Sequence, residues 1–135
     1  MTQRTLVLLK PDAVRRGLVG EILARYEAKG LTFVALEQRT IGTDVADRHY
    51  AEHLEKAFYP PLREFVTSGP LVAVVLEGDE AVEVVRAING ATDGRVAAPG
   101  TIRGDLSLSN RENLVHGSDS PESAAREIGI WFPDL

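Results

Sequence analysis

One histidine in the segment ENLVHGSDSPESA has neighbours that favour chemistry over packing. His116 follows an apolar step and precedes glycine, serine and aspartate, and Glu127 lies about one helix-length downstream. Neutral imidazole is a good nucleophile at phosphorus, and a carboxylate that holds one ring nitrogen leaves the other free to attack. A histidine that caps the last helix or packs in the core fits the same residues, so the local sequence leaves both interpretations open.

Several cationic residues lie at the ends of predicted elements or in a long loop. Lys10 ends the first apolar run, Arg86 precedes the loop, and Arg95 and Arg103 lie within it. Guanidinium donates two parallel hydrogen bonds to phosphate, and lysine adds a compact charge. Taken together these residues predict a phosphate pocket, although each alone fits a solvated surface charge. The common GxxxxGK[ST] and GxGxxG motifs are absent, so a nucleotide site here must be built differently.

A second histidine pattern, HYAEH from His49 to His53, matches the spacing of inverted zinc proteases with Glu52 as the base. Such a short pattern arises often by chance in a charged helix, and no third ligand is evident. We interpret it as a solvated helix face and keep a zinc hydrolase as an alternative function.

Composition is typical of one globular domain spanning residues 1–135, with 44% hydrophobic and 26% charged residues. A net charge of −5 disfavours nucleic acid and anionic membranes as partners. The absence of cysteine excludes disulfides and thiolate metal sites. The early apolar run from Leu6 to Leu9 is too short for a signal-peptide core or a membrane span. We therefore expect a cytoplasmic protein.

Hydrophobic periodicity divides the chain into strands and helices. The predicted strands are residues 4–9, 31–41, 70–77 and 114–116, and the predicted helices are residues 13–30, 43–58, 60–69, 79–90 and 120–132. Asp12 is the expected N-cap of the first helix. Periodicity stops between residues 91 and 113, which indicates a long functional loop. This order implies a mixed sheet with helices packed on one face.

Four segments together resemble the nucleoside diphosphate kinase family: TLVLLKPDAVRRGLVGEIL, FYPPLREFVTSGPLVAVVLEG, PGTIRGD and ENLVHGSDSPESA. The similarity runs from about residue 5 to residue 132. It implies an α+β, ferredoxin-like βαββαβ sandwich, in which an antiparallel four-stranded sheet carries helices on one face and a long functional loop.

The resemblance also implies an activity. The family transfers the terminal phosphoryl group of a nucleoside triphosphate such as ATP to nucleoside diphosphates, through a phosphohistidine and a ping-pong sequence that balances NTP and dNTP pools. Mg²⁺ is expected on the nucleotide phosphates, with no metal ligand from the protein. A homo-oligomer is expected, with a hexamer favoured over a tetramer. A non-catalytic binding or scaffolding module on the same fold is the alternative, against which the complete set of matching residues counts.

The site residues that the resemblance implies fall into three groups. The catalytic residues are His116, Glu127 and Lys10. The phosphate site is lined by Lys10, Tyr50, Arg86, Thr92 and Arg103, with His53 where a phosphate contact can occur. Phe58 and Leu62 hold the base, and Asn113 with Lys10 reaches the sugar. Because every base has a π-face, stacking on Phe58 implies broad base tolerance.

The chain departs from the family pattern at two positions. Asn110 stands where relatives often have an apolar residue over the base, so the pocket edge should be more polar. Gly94 stands where many relatives have proline, which predicts a more flexible loop. The chain also ends soon after Trp131, whereas longer relatives carry an extension. Base preference and oligomer size therefore stay open.

Overall fold

The computed structural model describes residues 1–135 and contains one four-stranded sheet with helices packed against it. The strands are β1 (Thr2–Leu9), β2 (Thr32–Arg39), β3 (Leu71–Asp79) and β4 (Val115–Gly117). The helices are α1 (Pro11–Arg15), α2 (Val19–Lys29), α3 (Thr43–His49), α4 (Tyr59–Val66), α5 (Ala81–Asn89), α6 (Ile102–Leu106) and α7 (Pro121–Trp131). No helix has the length and apolar character needed to cross a membrane.

The sheet has the strand order β2-β3-β1-β4, so β1 and β3 are central. Every neighbouring pair is antiparallel, and His116 of β4 lies opposite Leu8 of β1. With α2 and α5 as the connecting helices, this arrangement confirms the predicted α+β fold in βαββαβ order. The mixed sheet expected from periodicity alone is wrong, because no pair of strands is parallel.

Each face of the sheet buries its own apolar cluster. Successive strand residues point to opposite faces, so Val7 and Leu9 pack with α2 and α5 on one side. Leu6 and Leu8 pack with α3, α4 and α7 on the other side, where Trp131 is the largest buried side chain. The prediction that helices cover one face is therefore wrong. The continuous apolar runs of the central strands have no polar face to leave in water, so both faces must be covered.

The helix predicted over residues 13–30 is interrupted and forms α1 and α2. Gly17 lies between them with a φ of 69°, a left-handed conformation that glycine adopts without a steric penalty. Asp12 does not cap α1 as expected, because Lys10 occupies the N-cap position and makes no side-chain cap. The Asp12 carboxylate instead accepts a hydrogen bond from the backbone N–H of Leu114, which lies 102 residues further along the chain.

The helix predicted over residues 43–58 ends at His49 and is followed by a 3₁₀ turn from Ala51 to His53. The predicted long loop contains the short helix α6, so residues 91–113 are not wholly irregular. The last helix begins where it was predicted. Ser120 caps α7 by accepting a hydrogen bond from Ser123 N, and proline occupies the first turn.

Candidate active site

A cleft of about 1050 Å³ opens beside β4 and collects the residues that the resemblance implies. All ten line it: Lys10, Tyr50, Phe58, Leu62, Arg86, Thr92, Arg103, Asn113, His116 and Glu127. His53, Arg95 and Asn110 line it as well. Five lysine and arginine residues face three acidic ones there, although the whole chain has a net charge of −5. The cleft is therefore a cationic site in an acidic protein, which suits a phosphate ligand.

The imidazole of His116 is fixed by a carboxylate from α7. His116 Nε2 lies 2.9 Å from Glu127 Oε1, and Ser118 donates its hydroxyl proton to the same oxygen at 2.7 Å. The His116 side chain is 20% exposed and the Glu127 side chain 7%. Since Nε2 is engaged, Nδ1 is the ring nitrogen left without a hydrogen-bond partner. This arrangement fixes the orientation of the ring and leaves Nδ1 as its unpaired nitrogen.

Lys10 reaches the cleft from the end of β1. Its Nζ donates to Asn113 Oδ1 at 2.7 Å, and the Asn113 amide donates in turn to the carbonyl of Thr92 at 2.9 Å. The pKa of Lys10 is lowered to about 8, chiefly by burial and also by the nearby Arg103 charge, while Asp12 opposes the shift. An anion bound beside the ammonium group would offset this desolvation. Lys10 is therefore arranged to gain from a phosphate.

Arg103 fastens the loops that form one wall of the cleft. Its guanidinium donates to the carbonyls of Gly90 (2.8 Å), Val115 (2.6 Å) and Asn113 (3.2 Å). Burial lowers the pKa of Arg103, as does the neighbouring charge of Arg86, although Tyr26 opposes them. Arg103 was expected to bind phosphate, but most of its N–H donors already form hydrogen bonds to backbone carbonyls. A guanidinium has five N–H donors, so some remain for a ligand.

Comparisons with known proteins agree with this geometry. The family model described as nucleoside diphosphate kinase matches residues 3–135. The chain is 81% identical to a nucleoside diphosphate kinase of a Nocardioides species over 135 residues, covering all of both chains. It is 63% identical to the enzyme of Cutibacterium acnes, covering 98% of this chain and 96% of the relative. The chain belongs to the nucleoside diphosphate kinase family.

Solved structures support the same assignment. A halophilic nucleoside diphosphate kinase from Halobacterium salinarum, solved in complex with CDP, is 47% identical and superposes with a TM-score of 0.96, over 99% of this chain and 90% of that one. The chain is accordingly an enzyme that transfers the terminal phosphoryl group of a nucleoside triphosphate to a nucleoside diphosphate. The alternatives of a non-catalytic module and of a zinc hydrolase are set aside.

The zinc-protease pattern does not form in this family member. Its two histidines would have to share one helical face, but α3 ends at His49. His53 lies in the following turn, where its ring contacts Lys56 Nζ at 2.9 Å and Glu52 at 3.4 Å. The residues between them break the helix, so the spacing in the sequence does not become a shared ligand face.

His49 is instead a buried neighbour of His116 that sequence reasoning did not assign to the site. The two rings meet edge to face with centroids 4.6 Å apart, and Trp131 donates its indole N–H to His49 Nδ1 at 3.0 Å. Burial lowers the pKa of His49 well below its ordinary value, and its neighbours His116, Arg126 and Lys10 lower it further. His49 is therefore neutral. No local signal reveals this contact, because it joins α3 to β4.

The mouth of the cleft carries an exposed aromatic ring. Phe58 is 49% exposed, with the His53 ring 5.4 Å away and Lys56 Nζ 5.7 Å from its centroid. Leu62 packs partly against the core beside it, and Tyr50 is buried against His49. An exposed ring at the rim of a cationic cleft suits a stacked base whose phosphates lie deeper.

The two departures from the family pattern have different surroundings. Asn110 is exposed on the cleft wall. Gly94 is tied down: its N–H donates to Ser109 O at 3.1 Å, and a Cβ there would overlap the Ser107 carbonyl oxygen. Proline could not donate that bond. The structure thus gives Gly94 an anchored place in the loop where the sequence predicted greater flexibility.

The residue types in the cleft fit a magnesium ion carried by the nucleotide. Mg²⁺ prefers oxygen ligands and keeps several waters. The tightest group with metal-ligating atoms is His49, His116 and Glu127, whose atoms lie within 4.8 Å of one another. Two of the three are imidazoles, and Glu127 already accepts two hydrogen bonds. This group does not offer the oxygen cage that a protein-held Mg²⁺ needs.

Proposed function

We propose that His116 is the nucleophile of a ping-pong reaction and carries the phosphoryl group between two nucleotides. The observation that carries this proposal is the contact between His116 Nε2 and Glu127, which leaves Nδ1 unpaired in a cationic cleft. The same contact selects the tautomer with its proton on Nε2, because a carboxylate accepts that proton's hydrogen bond.

In the first half-reaction, Nδ1 attacks the terminal phosphorus of a nucleoside triphosphate. The N–P bond forms as the bond to the bridging oxygen breaks, and the nucleoside diphosphate leaves with that electron pair. The Nε2 proton stays on the ring, and Glu127 offsets the positive charge that develops there. A terminal oxygen of a second nucleoside diphosphate then attacks the phosphohistidine in the reverse sense. Because one anhydride replaces another, the equilibrium constant should lie near unity.

Cationic residues supply the remaining stabilisation in this proposal. Phosphoryl transfer depends mainly on alignment and on positive charge around the moving group. Lys10, Arg86 and Arg103 provide that charge, and the hydroxyls of Tyr50 and Thr92 provide neutral donors. Mg²⁺ carried on the nucleotide phosphates would supply further positive charge to the transferred group. All these residues line the cleft that contains His116.

The rest of the nucleotide occupies the outer part of the cleft. We assign the base to Phe58 and Leu62 and the sugar to Lys10 and Asn113. The CDP complex of the Halobacterium relative supports nucleoside diphosphates, including those with a pyrimidine base, as ligands here. Stacking on Phe58 tolerates every base, so ATP and other nucleoside di- and triphosphates are the expected substrates.

We also propose that the enzyme is a homo-oligomer, with a hexamer favoured over a tetramer. The edge strand β2 carries Leu36, which is 49% exposed, and an unpaired edge with an apolar residue favours self-association. Light scattering after size exclusion should give one species with six times the mass of the chain, and a monomer would contradict the proposal. The expected cytoplasmic location stays a prediction that cell fractionation can test.

Intact-mass measurement tests the catalytic proposal. The protein is incubated with ATP and Mg²⁺, freed of nucleotide and weighed, and GDP is then added. We expect one acid-labile phosphoryl group per chain, which GDP removes as GTP. His116→Ala should gain none. A His116→Ala variant that turns over at the rate of the unmodified enzyme would refute the proposal.

A further inference from the structure

A leucine with left-handed backbone lies two residues before His116. Leu114 has a φ of 73° and is completely buried. This conformation is sterically unfavourable for a residue with a Cβ, and it persists only where surrounding contacts enforce it. The contacts that hold Leu114 therefore also determine how the chain enters β4. They matter for Asn113, which precedes Leu114, and for His116, which lies two residues after it.

Both backbone polar groups of Leu114 are held by the segment that follows β1. The Leu114 N–H donates to Asp12 Oδ2 at 3.1 Å, and its carbonyl accepts from the Lys10 N–H at 2.8 Å. The flanking carbonyls of Asn113 and Val115 accept from Arg103, and the Asn113 carbonyl also accepts from the Val115 N–H at 2.8 Å, across Leu114. Of these contacts, the one from Asp12 is the only bond that a side chain makes to Leu114 itself.

Asp12 has no part in the reaction described above. It is 2% exposed, and only one of its two carboxylate oxygens has a hydrogen-bond partner. Burial raises the pKa of Asp12, against the Lys10 charge and backbone N–H groups, which lower it. A buried carboxylate with an unpaired oxygen is unfavourable for folding. The bond to Leu114 is the one hydrogen bond that the Asp12 carboxylate makes, so a role for Asp12 should act through it.

We propose that Asp12 is a positioning residue that holds Leu114 in its left-handed conformation and so sets the places of Asn113 and His116. This inference rests on the proposed function, in which His116 is the nucleophile. Without the bond from Asp12, Leu114 can relax to a negative φ, which rotates the peptides on both sides of it. Asn113 would then shift relative to Lys10, and His116 relative to Glu127.

The first test compares Asp12→Ala with Asp12→Asn at pH 6.5, where Lys10 stays charged. Asparagine keeps an oxygen that can accept from the Leu114 N–H, whereas alanine does not. The readout is the single-turnover rate of phosphoenzyme formation at saturating ATP. We expect a loss of at least about tenfold for Asp12→Ala and less than about threefold for Asp12→Asn. Equal losses would overturn the proposal, because the charge rather than the hydrogen bond would then matter.

The second test changes the cost of the left-handed conformation itself. Leu114→Ala and Leu114→Gly both remove the buried side chain, but only glycine adopts a positive φ without penalty. Asp12→Ala should lower the rate by about tenfold in the Leu114→Ala background and by less than about threefold in the Leu114→Gly background. The same factor in both backgrounds would contradict the proposal.

His116→Ala in the same assay separates the two claims. Phosphoenzyme formation by that variant would refute the proposed function. An inactive His116→Ala together with a fully active Asp12→Ala would refute only the positioning role. Thermal unfolding identifies variants that do not fold. If Asp12→Ala is one of them, a large loss of rate in folded Asp12→Asn contradicts the proposal, and a rate near that of the unmodified enzyme supports it.

Discussion

Replacing Arg103 with alanine should weaken the fold as well as the reaction. The guanidinium donates to three backbone carbonyls, at 2.6, 2.8 and 3.2 Å. A hydrogen bond from a charged group contributes about 1.5–3 kcal/mol, and a carbonyl left buried without a partner adds to the loss. Bonds from one side chain are not additive. The two short bonds, to Gly90 and Val115, set the scale at about 3 kcal/mol in the free energy of unfolding.

Urea unfolding measures this loss, and two variants serve as controls. Arg95→Ala removes an exposed guanidinium whose partner is the nearby Asp93, so it should leave the urea midpoint almost unchanged. Arg103→Lys keeps the charge but cannot reach all three carbonyls, and should fall between alanine and arginine. An Arg103→Ala protein as stable as the unmodified one would refute the structural role.

The effect of Arg103→Ala on turnover is a separate quantity. If Arg103 also contacts phosphate, the kcat/KM for nucleoside diphosphate should fall by about 1.5–3 kcal/mol, or roughly 10- to 150-fold. The assay is run without urea, at a temperature well below the unfolding midpoint of the variant. An unchanged kcat/KM would remove Arg103 from the phosphate site while leaving its carbonyl bonds intact.

Four further predictions follow from the cleft and its loop. Because burial lowers the pKa of Lys10 to about 8, the KM for nucleotide should rise above that pH, and Lys10→Arg should remove the rise. Between pH 8 and 10.5 the unfolded chain binds more protons at Lys10 than the native state, so stability should increase with pH relative to Lys10→Met, and a decrease would contradict the burial argument. Glu127→Gln should slow phosphoenzyme formation about 10- to 100-fold with little change in KM, and an unaltered rate would mean that its charge is not needed. Gly94→Ala should lower the melting temperature because a Cβ overlaps Ser107, whereas Gly20→Ala, which meets nothing within 4 Å in an exposed helix, should not; equal melting temperatures would remove the steric argument.

The parts of the fold that were predictable from the sequence are those governed by local signals. The apolar runs of β1 and β3 predict strands, and the structure buries both faces of each. The Ser120-Pro121 pair predicts the start of α7 because capping is local. Which faces the helices cover was not predictable in this way. That outcome depends on how α3, α4 and α7 pack under the sheet, where the cluster around Trp131 forms.

The candidate site likewise has features that the sequence predicts and features that it does not. The sequence motifs identify His116, Arg103 and Lys10. The family resemblance predicts that they share one site, and all three line the same cleft. The sequence does not reveal that the Arg103 guanidinium donates hydrogen bonds to backbone carbonyls. Nor does it reveal that Asp12 bonds to Leu114, because each contact joins segments far apart in the chain. The one-domain prediction for residues 1–135 stays a prediction, which a single cooperative unfolding transition would support.

The central claim is that Nδ1 of His116 carries the phosphoryl group, because Glu127 occupies Nε2. The most direct measurement is NMR of the phosphoenzyme made with ATP from ¹⁵N-histidine-labelled protein, using the phosphorus–nitrogen coupling to identify the bonded ring nitrogen. We expect one phosphoryl group, on Nδ1 of His116, which disappears when GDP is added. A phosphoryl group on Nε2, or on any other residue, would contradict this account.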